Sequence, residues 1–566
     1  MSVLERDVSL GGDQVSSESK LRSSKTKLND TQNNQNSADE FHPAAYCYIS
    51  DQKVHFTPIE DDSDEEDNNR VSETFQNTPL LKYDADYLPD KLYLKNKNLL
   101  YSLNNPSISD VETDTNTNST TVSHSNGHNL STPSAEVNTS AQSQSQSQPS
   151  PTSRSPSPNP SGNASVKRRS LYFPKYVINL SENLETDFVQ LKRLIVRAFP
   201  EWADTGKLEI KQVTGGITNM LLSCTYSNEK TILIRVYGHG TNLIIDRHRE
   251  FISHLILNSI GLAPTVFARF KNGLMYGYLS GRSLKPEELS NEKIYPLIAQ
   301  QLGNWHKSLN YKLIEEGVDK IRALRIGARR NSVSKKKSAK KKRFISNIWE
   351  LIDEWIEIVP VNPELIASFQ QHLHEDVNEG NLKEVVKKEF HWLKNILEAV
   401  KSPIVSSHCD LLSGNVIIPE DFESNFYTGQ SLPSVEQNPI KFIDYEYMLP
   451  APRAFDIANH LAEWQGFNCD RSAIPEPTNS NPVIVKWCES YLDNRQSNPT
   501  EVESLINEVS MFYGLPGFYW GIWAMIQSEL SNIDFDYADY GKLRLEEYWD
   551  WKAKNQEKIE LLSLKV

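Results

Sequence analysis

The sequence predicts an α+β protein of two lobes: a small N-terminal lobe built on antiparallel sheet and a larger, mainly helical C-terminal lobe, preceded by a disordered tail. Three observations predict it. Composition divides the 566 residues near position 170: up to there the chain is dominated by Ser, Asn, Thr, Gln, Asp and Pro, as in "SAQSQSQSQPSPTSRSPSPNPSG". Such sequence cannot bury enough apolar surface to offset its chain entropy. From "SLYFPKYVINL" onward the composition changes, and all eleven tryptophans follow. Within that part, segments of period-two alternation come first and segments of helical periodicity after them. The expected boundaries are therefore a tail over 1–170, an N-terminal lobe over 171–283 and a C-terminal lobe over 284–566.

The elements follow in order. "LEIKQV" and "NMLLSCTY" alternate apolar and polar residues, with Gly215-Gly216 turning between them, and Asn228-Glu229-Lys230 turns into "TILIRVYG". A glycine turn between antiparallel strands lets backbone N–H groups approach a phosphate closely, although an ordinary hairpin uses the same residues. "IIDRHREFISHLILNSIGLAPTVFARF" reads as a helix ending at Gly261 and then a strand, which places Glu250 on a helix following the strand of Arg235. A basic strand residue facing an acid on the next helix is how kinase N-terminal lobes reach nucleotide phosphates; a structural ion pair is the alternative. "LMYGYLSGRSL" (274–284) is a strand running into an exposed hinge turn. "IYPLIAQQLGNWHKSL" and "FISNIWELIDEWIEIV" are amphipathic helices, and the basic run "RRNSVSKKKSAKKKRF" (329–344) is inserted between them.

Composition excludes several classes. The formal charge of −14 gives no support for a nucleic-acid partner. Five scattered cysteines lack metal-ligand spacing and suit a reducing compartment rather than a disulfide framework. No apolar run reaches eighteen residues and the N-terminus lacks a signal-peptide core, so a cytoplasmic protein without a transmembrane segment is expected.

The chemistry gathers around "SHCDLLSGNVII" (406–417). Read as H-x-D-x-x-x-x-N, it has the shape of a kinase catalytic loop, in which the Asp orients and deprotonates a hydroxyl and the Asn holds Mg²⁺. The strand "VII" follows, and after a polar loop the chain returns as "IKFIDYEYM", so that Asp444 can come beside Asn415 across a hairpin. Asn415 and Asp444 supply the oxygen pair that Mg²⁺ takes from a protein, leaving Asp410 to accept the proton. Asp456, in "RAFDIANHLAEW", reads as a cap or loop anchor rather than a catalyst. Trp520 and Trp523 share a helical face, and "SNIDFDYADY" follows with Asp534, Asp536, Tyr537 and Tyr540; aromatic faces with carboxylates suit a small organic cation.

"HCDLLSGN", "IDYEYMLPAPRAFDIANHLAEW" and "FYWGIWAMIQSELSNIDFDYADY" together resemble the choline/ethanolamine kinase family, over about residues 170–560. The resemblance implies a protein-kinase-like fold and ATP-dependent phosphorylation of an amino alcohol. It makes Asp410 the base, Asn415 and Asp444 the Mg²⁺ ligands, and Gly215, Gly216 and Asn219 the phosphate loop, with Arg235 and Glu250 at the nucleotide. Tyr447, Glu463, Trp464, Trp520, Trp523 and Tyr537 would surround the amine. Members of the family also form homodimers. Where choline kinases place a tyrosine-rich run after "EW", this chain has "QGFNCD", and its "DLL" resembles ethanolamine kinases. A primary ammonium carries three donors and a trimethylated one none, so fewer aromatics with the same carboxylates lean toward ethanolamine, with choline weaker. The alternatives are a choline kinase proper, or a kinase of the same fold acting on an aminoglycoside or a protein. Ser63 in the acidic "IEDDSDEEDNN", Ser170, and Ser332 behind two arginines are candidate phosphosites for regulatory kinases.

Overall fold

The computed structural model describes residues 43–58, 169–179, 188–215, 219–228, 230–237, 244–330, 345–422, 432–493, 498–531 and 534–563. Its N-terminal lobe is an eight-stranded sheet made of β1 (Ala45–Ser50), β2 (Lys53–Pro58), β3 (Ser170–Phe173), β4 (Leu208–Gly215), β5 (Asn219–Tyr226), β6 (Lys230–Tyr237), β7 (Val266–Phe270) and β8 (Gly273–Gly277). The spatial order is β2-β1-β3-β7-β8-β6-β5-β4, antiparallel throughout except for β3 beside β7. The meander β4–β5–β6 is the one read from the alternation. On β6 that alternation buries Ile232, Ile234 and Val236 with Leu191, Leu194 and Ile195 of α1 (Val189–Ala198). Period two then puts Arg235 on the opposite face. There it meets α2 (Arg247–Ser259), which is N-capped by Asp246 and gives way to Gly261 at φ +78°.

Two expectations for the tail are corrected. Residues 45–58 lie inside the stretch read as disordered, yet they form the β1–β2 hairpin at the sheet's edge, with Ala45, Cys47 and Val54 buried. "AYCYIS" and "KVHFTP" alternate, and Asp51 and Gln52 between them both take positive φ, the backbone of a tight two-residue hairpin turn. Low-complexity sequence on both sides hid this signal. Ser170, expected as a phosphosite, begins β3, is buried, and donates its hydroxyl to the Val266 carbonyl at 2.6 Å. A kinase could reach it only after β3 had left the sheet. Ser63, Ser332 and Gly216 lie outside the described residues.

The C-terminal lobe is helical: α3 (Tyr295–Ser308), α4 (Tyr311–Arg330), α5 (Ile348–Ile358), α6 (Pro363–Leu373), α7 (Leu382–Ala399) and α8 (Arg453–Ala462) come first. They are followed by α9 (Pro482–Leu492), α10 (Pro499–Phe512), α11 (Leu515–Leu530), α12 (Tyr537–Lys554) and α13 (Gln556–Ser563). The strands β9 (Arg282–Ser283), β10 (Ile404–Ser407), β11 (Val416–Ile418), β12 (Lys441–Phe442) and β13 (Leu449–Pro452) pair as β12-β11-β9 and β10-β13. Helix α4 was not foreseen; the basic run starts at its last turn. Two features place the site. β11 pairs antiparallel with β12 through Val416 and Phe442, as the hairpin reading required. And α11 lies backbone-close on α12: a Cβ on Gly517 would meet the Arg544 carbonyl at 2.4 Å, and one on Gly541 would meet the Ala524 Cβ at 3.1 Å. Only glycine permits that approach, which sets Trp523 against Tyr537 at the start of α12. Among the described residues no helix is long and apolar enough to cross a membrane.

Candidate active site

The loop from His408 to Asn415 leaves β10 and enters β11, and α8 holds it in place. Asp456 accepts the backbone N–H of His408 on one carboxylate oxygen and that of Cys409 on the other, each at 2.8 Å, and His306 Nε2 lies 2.8 Å from the first. Cys409 sits at φ +64°, a strained conformation for a residue with a side chain; these bonds help hold it there. Burial pushes the Asp456 carboxyl up, but the hydrogen bonds and His306 outweigh it and keep the group below its ordinary value. One turn on, Asn459 Nδ2 donates to the Cys409 carbonyl at 3.1 Å, and His460 Nδ1 donates to the Leu411 carbonyl at 2.9 Å. Asp456 is thus the loop anchor that its position suggested. Asn459 and His460 were missed, although their i+3 and i+4 spacing from Asp456 marks one helix face.

That clamp presents Asp410. The side chain is buried, and Asn415 Nδ2 donates to its carbonyl at 2.7 Å and to its Oδ2 at 3.2 Å. Burial, with the carboxylates of Asp444, Glu463 and Glu446 nearby, pushes the Asp410 carboxyl up to about 8. Asp444 arrives from the other side: Ile443 N donates to the Asn415 carbonyl at 3.0 Å, and Asp444 itself takes φ +66°. Its carboxylate receives the Arg235 guanidinium as a fork, Nη1 to Oδ1 at 2.8 Å and Nη2 to Oδ2 at 3.0 Å. Burial works to raise the Asp444 carboxyl, but Arg235 overrides it and holds the group well below the carboxylate range. Asn415, with Nδ2 committed to Asp410, and Asp444, once its carboxylate leaves the Arg235 fork, offer hard oxygen donors of the kind Mg²⁺ takes.

Arg235 and Glu250 approach each other, but as a 3.6 Å charge contact rather than a close pair. Two carboxylate oxygens of Asp444 match the planar fork better than one oxygen of Glu250 can. Glu250 Oε2 instead accepts from Arg247 Nη1 at 3.1 Å, and Glu446 Oε2 ties the two arginines together, 2.8 Å from Arg247 and 3.3 Å from Arg235. Neither Arg247 nor Glu446 was singled out from sequence. Gly215 ends β4 and Asn219 begins β5, so the expected phosphate loop joins those two strands; its centre lies outside the described residues.

At the other end of Asp410 lies an aromatic cluster. Trp523 Nε1 donates to the Tyr447 hydroxyl at 2.9 Å, and Trp520 Nε1 donates to Asn459 Oδ1 at 2.8 Å, linking the pocket to the loop clamp. Trp520 and Trp523 meet edge to face at 5.4 Å, and Tyr537 stands edge-on to Trp523 at 5.8 Å. Glu463 is buried and accepts from Arg544 Nη1 at 3.0 Å; Arg544, fully buried, also pairs with Glu547 at 3.1 Å. Trp464 does not join the cluster. Its ring packs beside Tyr295, 5.7 Å away, because it lies in a short 3₁₀ turn that swings it from Glu463 toward α3. Arg544 was missed, and no local pattern marks it: it is buried only because glycines let α11 and α12 close together.

Two buried histidines give a pH prediction. Burial lowers His254 to about 3 and His460 to about 4. Unfolded, each titrates near 6.5, so below that pH the unfolded chain binds more protons and stability falls as pH drops toward the folded values. Each contributes a slope of about 1.4 kcal/mol per pH unit in that window. Because Asp410, with its carboxyl pushed up to about 8, contributes a slope of opposite sign in the same window, the check is made ring by ring: the imidazole resonances of His254 and His460 should stay those of neutral rings from pH 7 to pH 5, and titration of either near 6.5 would contradict its burial.

The family model for Choline/ethanolamine kinase matches residues 210–549. Ethanolamine kinase 1 of Homo sapiens is 30% identical over 367 residues, covering 63% of this chain and 70% of the relative. A probable ethanolamine kinase of Nematostella vectensis is 32% identical over 383 residues, 64% of this chain and 93% of the relative. Among solved structures, a Plasmodium vivax ethanolamine kinase shares 28% identity over 66% of this chain and 91% of its own, at a TM-score of 0.49.

Proposed function

The chain belongs to the choline/ethanolamine kinase family, and from that premise we propose that it transfers the γ-phosphate of ATP to the hydroxyl of ethanolamine. The product is phosphoethanolamine, in the first step of the CDP-ethanolamine route to phosphatidylethanolamine. One observation carries the proposal. Asn459 hydrogen-bonds both the loop that presents Asp410 and the tryptophan that lines the aromatic pocket, so base and cation site are built as one unit.

The substrate hydroxyl gives its proton to Asp410 as its oxygen bonds to the γ-phosphorus, and the bond to the β-phosphate oxygen breaks in line, releasing ADP. Burial makes Asp410 a stronger base than a surface carboxylate. Asn415 and Asp444 would hold Mg²⁺, which supplies positive charge against the phosphates when bound. Arg235 and Arg247 bring guanidinium donors to the same end, where they balance the carboxylates of Asp444, Glu446 and Glu250. Tyr447, Trp520, Trp523 and Tyr537 face the amine, and Glu463 offers it a carboxylate. Five free cysteines, four of them buried, support a reducing, cytoplasmic setting.

Ethanolamine is favoured over choline because the cage is thin. Trp464 is turned away, and Phe467, the single aromatic of "QGFNCD", packs on Phe535 and Tyr540. A quaternary ammonium has only its charge and the rings, while a primary one also donates three hydrogen bonds. Initial rates of ADP release at matched subsaturating concentrations should give a kcat/KM at least ~10-fold higher for ethanolamine, about 1.4 kcal/mol. Equal or greater efficiency on choline would overturn the preference while leaving the phosphotransfer site standing.

A further inference from the structure

The β1–β2 hairpin lies more than 150 residues before the family match begins at residue 210, yet it is built into the lobe that carries the nucleotide-end charges. Val54, only 2% exposed, converges with Ile252 of α2 on Gly317 of α4: a Cβ on Gly317 would meet the Ile252 Cγ2 at 2.6 Å and the Val54 Cγ2 at 2.7 Å. Lys320 of α4 donates to the Val54 carbonyl at 3.0 Å. Tyr172, paired with Ala45 in the ladder, stacks on Phe251 of α2 with ring centroids 6.4 Å apart. Helix α4 in turn grips α2 through ion pairs of Glu315 with Arg249 and of Arg322 with Asp246, the residue that caps α2. One side of α2 is therefore packed against the hairpin, β3 and α4. Its other side sends Arg247 and Glu250 to Glu446 and Arg235, and so to Asp444.

We propose that residues 45–58 are a positioning element for catalysis: by packing on α2 and α4 they hold the Arg247–Glu446–Arg235–Asp444 network in register. The hairpin touches no reacting atom, so its effect falls on the nucleotide end. The aromatic pocket, built from α11 and α12 with Tyr447 and Glu463, is spared. Burying these apolar side chains favours docking, and a charge introduced at Val54 would have to leave the interface to be hydrated.

The proposal rests on the ethanolamine kinase reading for its kinetic readout, and on the thiol of Cys47, fully buried in β1, for a second readout that needs no activity. The test uses the full chain with Val54→Asp, and with Lys320→Met as a milder change at an exposed position. Alkylation of Cys47, followed by peptide mass spectrometry, reports hairpin release. In the wild type Cys47 is expected to react slowly in the folded protein. In Val54→Asp it should react at least ~10-fold faster, while KM for MgATP rises several-fold, kcat falls, and KM for ethanolamine stays within twofold. Lys320→Met should move the same quantities in the same direction by less. Rapid Cys47 labelling in the folded wild type would overturn the docking itself. Released hairpin with unchanged MgATP kinetics, or equal rises in both KM values, would overturn the positioning role. If Val54→Asp fails to fold, Lys320→Met decides: faster Cys47 labelling without a shift in KM for MgATP overturns the role. Wild-type protein inactive on ethanolamine, with Cys47 protected, would refute the functional reading and leave docking intact.

Discussion

Asp410→Asn is expected to reduce turnover by about 10²–10⁴-fold, the range supplied by a positioned general base, while ATP affinity stays near that of the wild type. Asn is nearly isosteric and can keep the hydrogen bond from Asn415 Nδ2, which uses the Asp410 backbone carbonyl as well as Oδ2. What it cannot do is accept the hydroxyl proton. The loop should stay in place, because its anchors lie on α8 and contact backbone atoms of His408, Cys409 and Leu411 rather than the Asp410 side chain. Calorimetric titration with MgATP beside steady-state rates separates the possibilities. If nucleotide affinity falls in parallel with activity, Asp410 is a metal ligand or a structural group, and the base lies elsewhere.

The second large effect is expected at a residue that touches no substrate. Asp456→Asn replaces one acceptor oxygen by an NH₂ group that must face either the His408 or Cys409 N–H, or His306. Breaking a buried, hydrogen-bonded charge of this kind typically costs about 3–5 kcal/mol. Part of that loss appears as a lower melting temperature. The rest appears as a Cys409 backbone no longer held at positive φ, which lets Asp410 drift. A misplacement of about 1 Å can cost ~10²-fold in rate. Turnover measured well below the melting temperature should therefore fall by about 10²-fold even though the protein is folded. A variant that is destabilised yet retains wild-type kcat when folded would show that the loop does not depend on this anchor.

The difference between these two aspartates shows what local sequence can reveal. Asp410, Asn415 and Asp444 were legible because their spacing is fixed by one loop and one hairpin, and a two-stranded pairing of β11 with β12 is enough to bring them together. Asp456 was legible as an anchor from its place in the first turn of α8. Arg544 and the Arg247–Glu446 pair were not, because their burial depends on contacts between segments 80 to 200 residues apart. Trp464 was placed at the amine by the family resemblance, but in its 3₁₀ turn the side chain after Glu463 points another way, with its ring beside Tyr295. The hairpin at 45–58 shows the converse: two six-residue strands carry a clear alternation, and composition averaged over 170 residues concealed it. Composition describes a stretch; burial is decided residue by residue.

In the proposed mechanism one buried aspartate, clamped by α8 between a nucleotide end and an aromatic pocket, directs ATP's γ-phosphate onto ethanolamine. The most direct measurement follows ³¹P resonances with time in a mixture of the full chain, Mg²⁺, ATP and ethanolamine, with Asp410→Asn run alongside. Growth of a phosphoethanolamine signal matching ADP formation one for one, nearly absent in the variant, is the predicted result. ADP accumulating with inorganic phosphate instead, or phosphoethanolamine forming at a comparable rate in the variant, would contradict it.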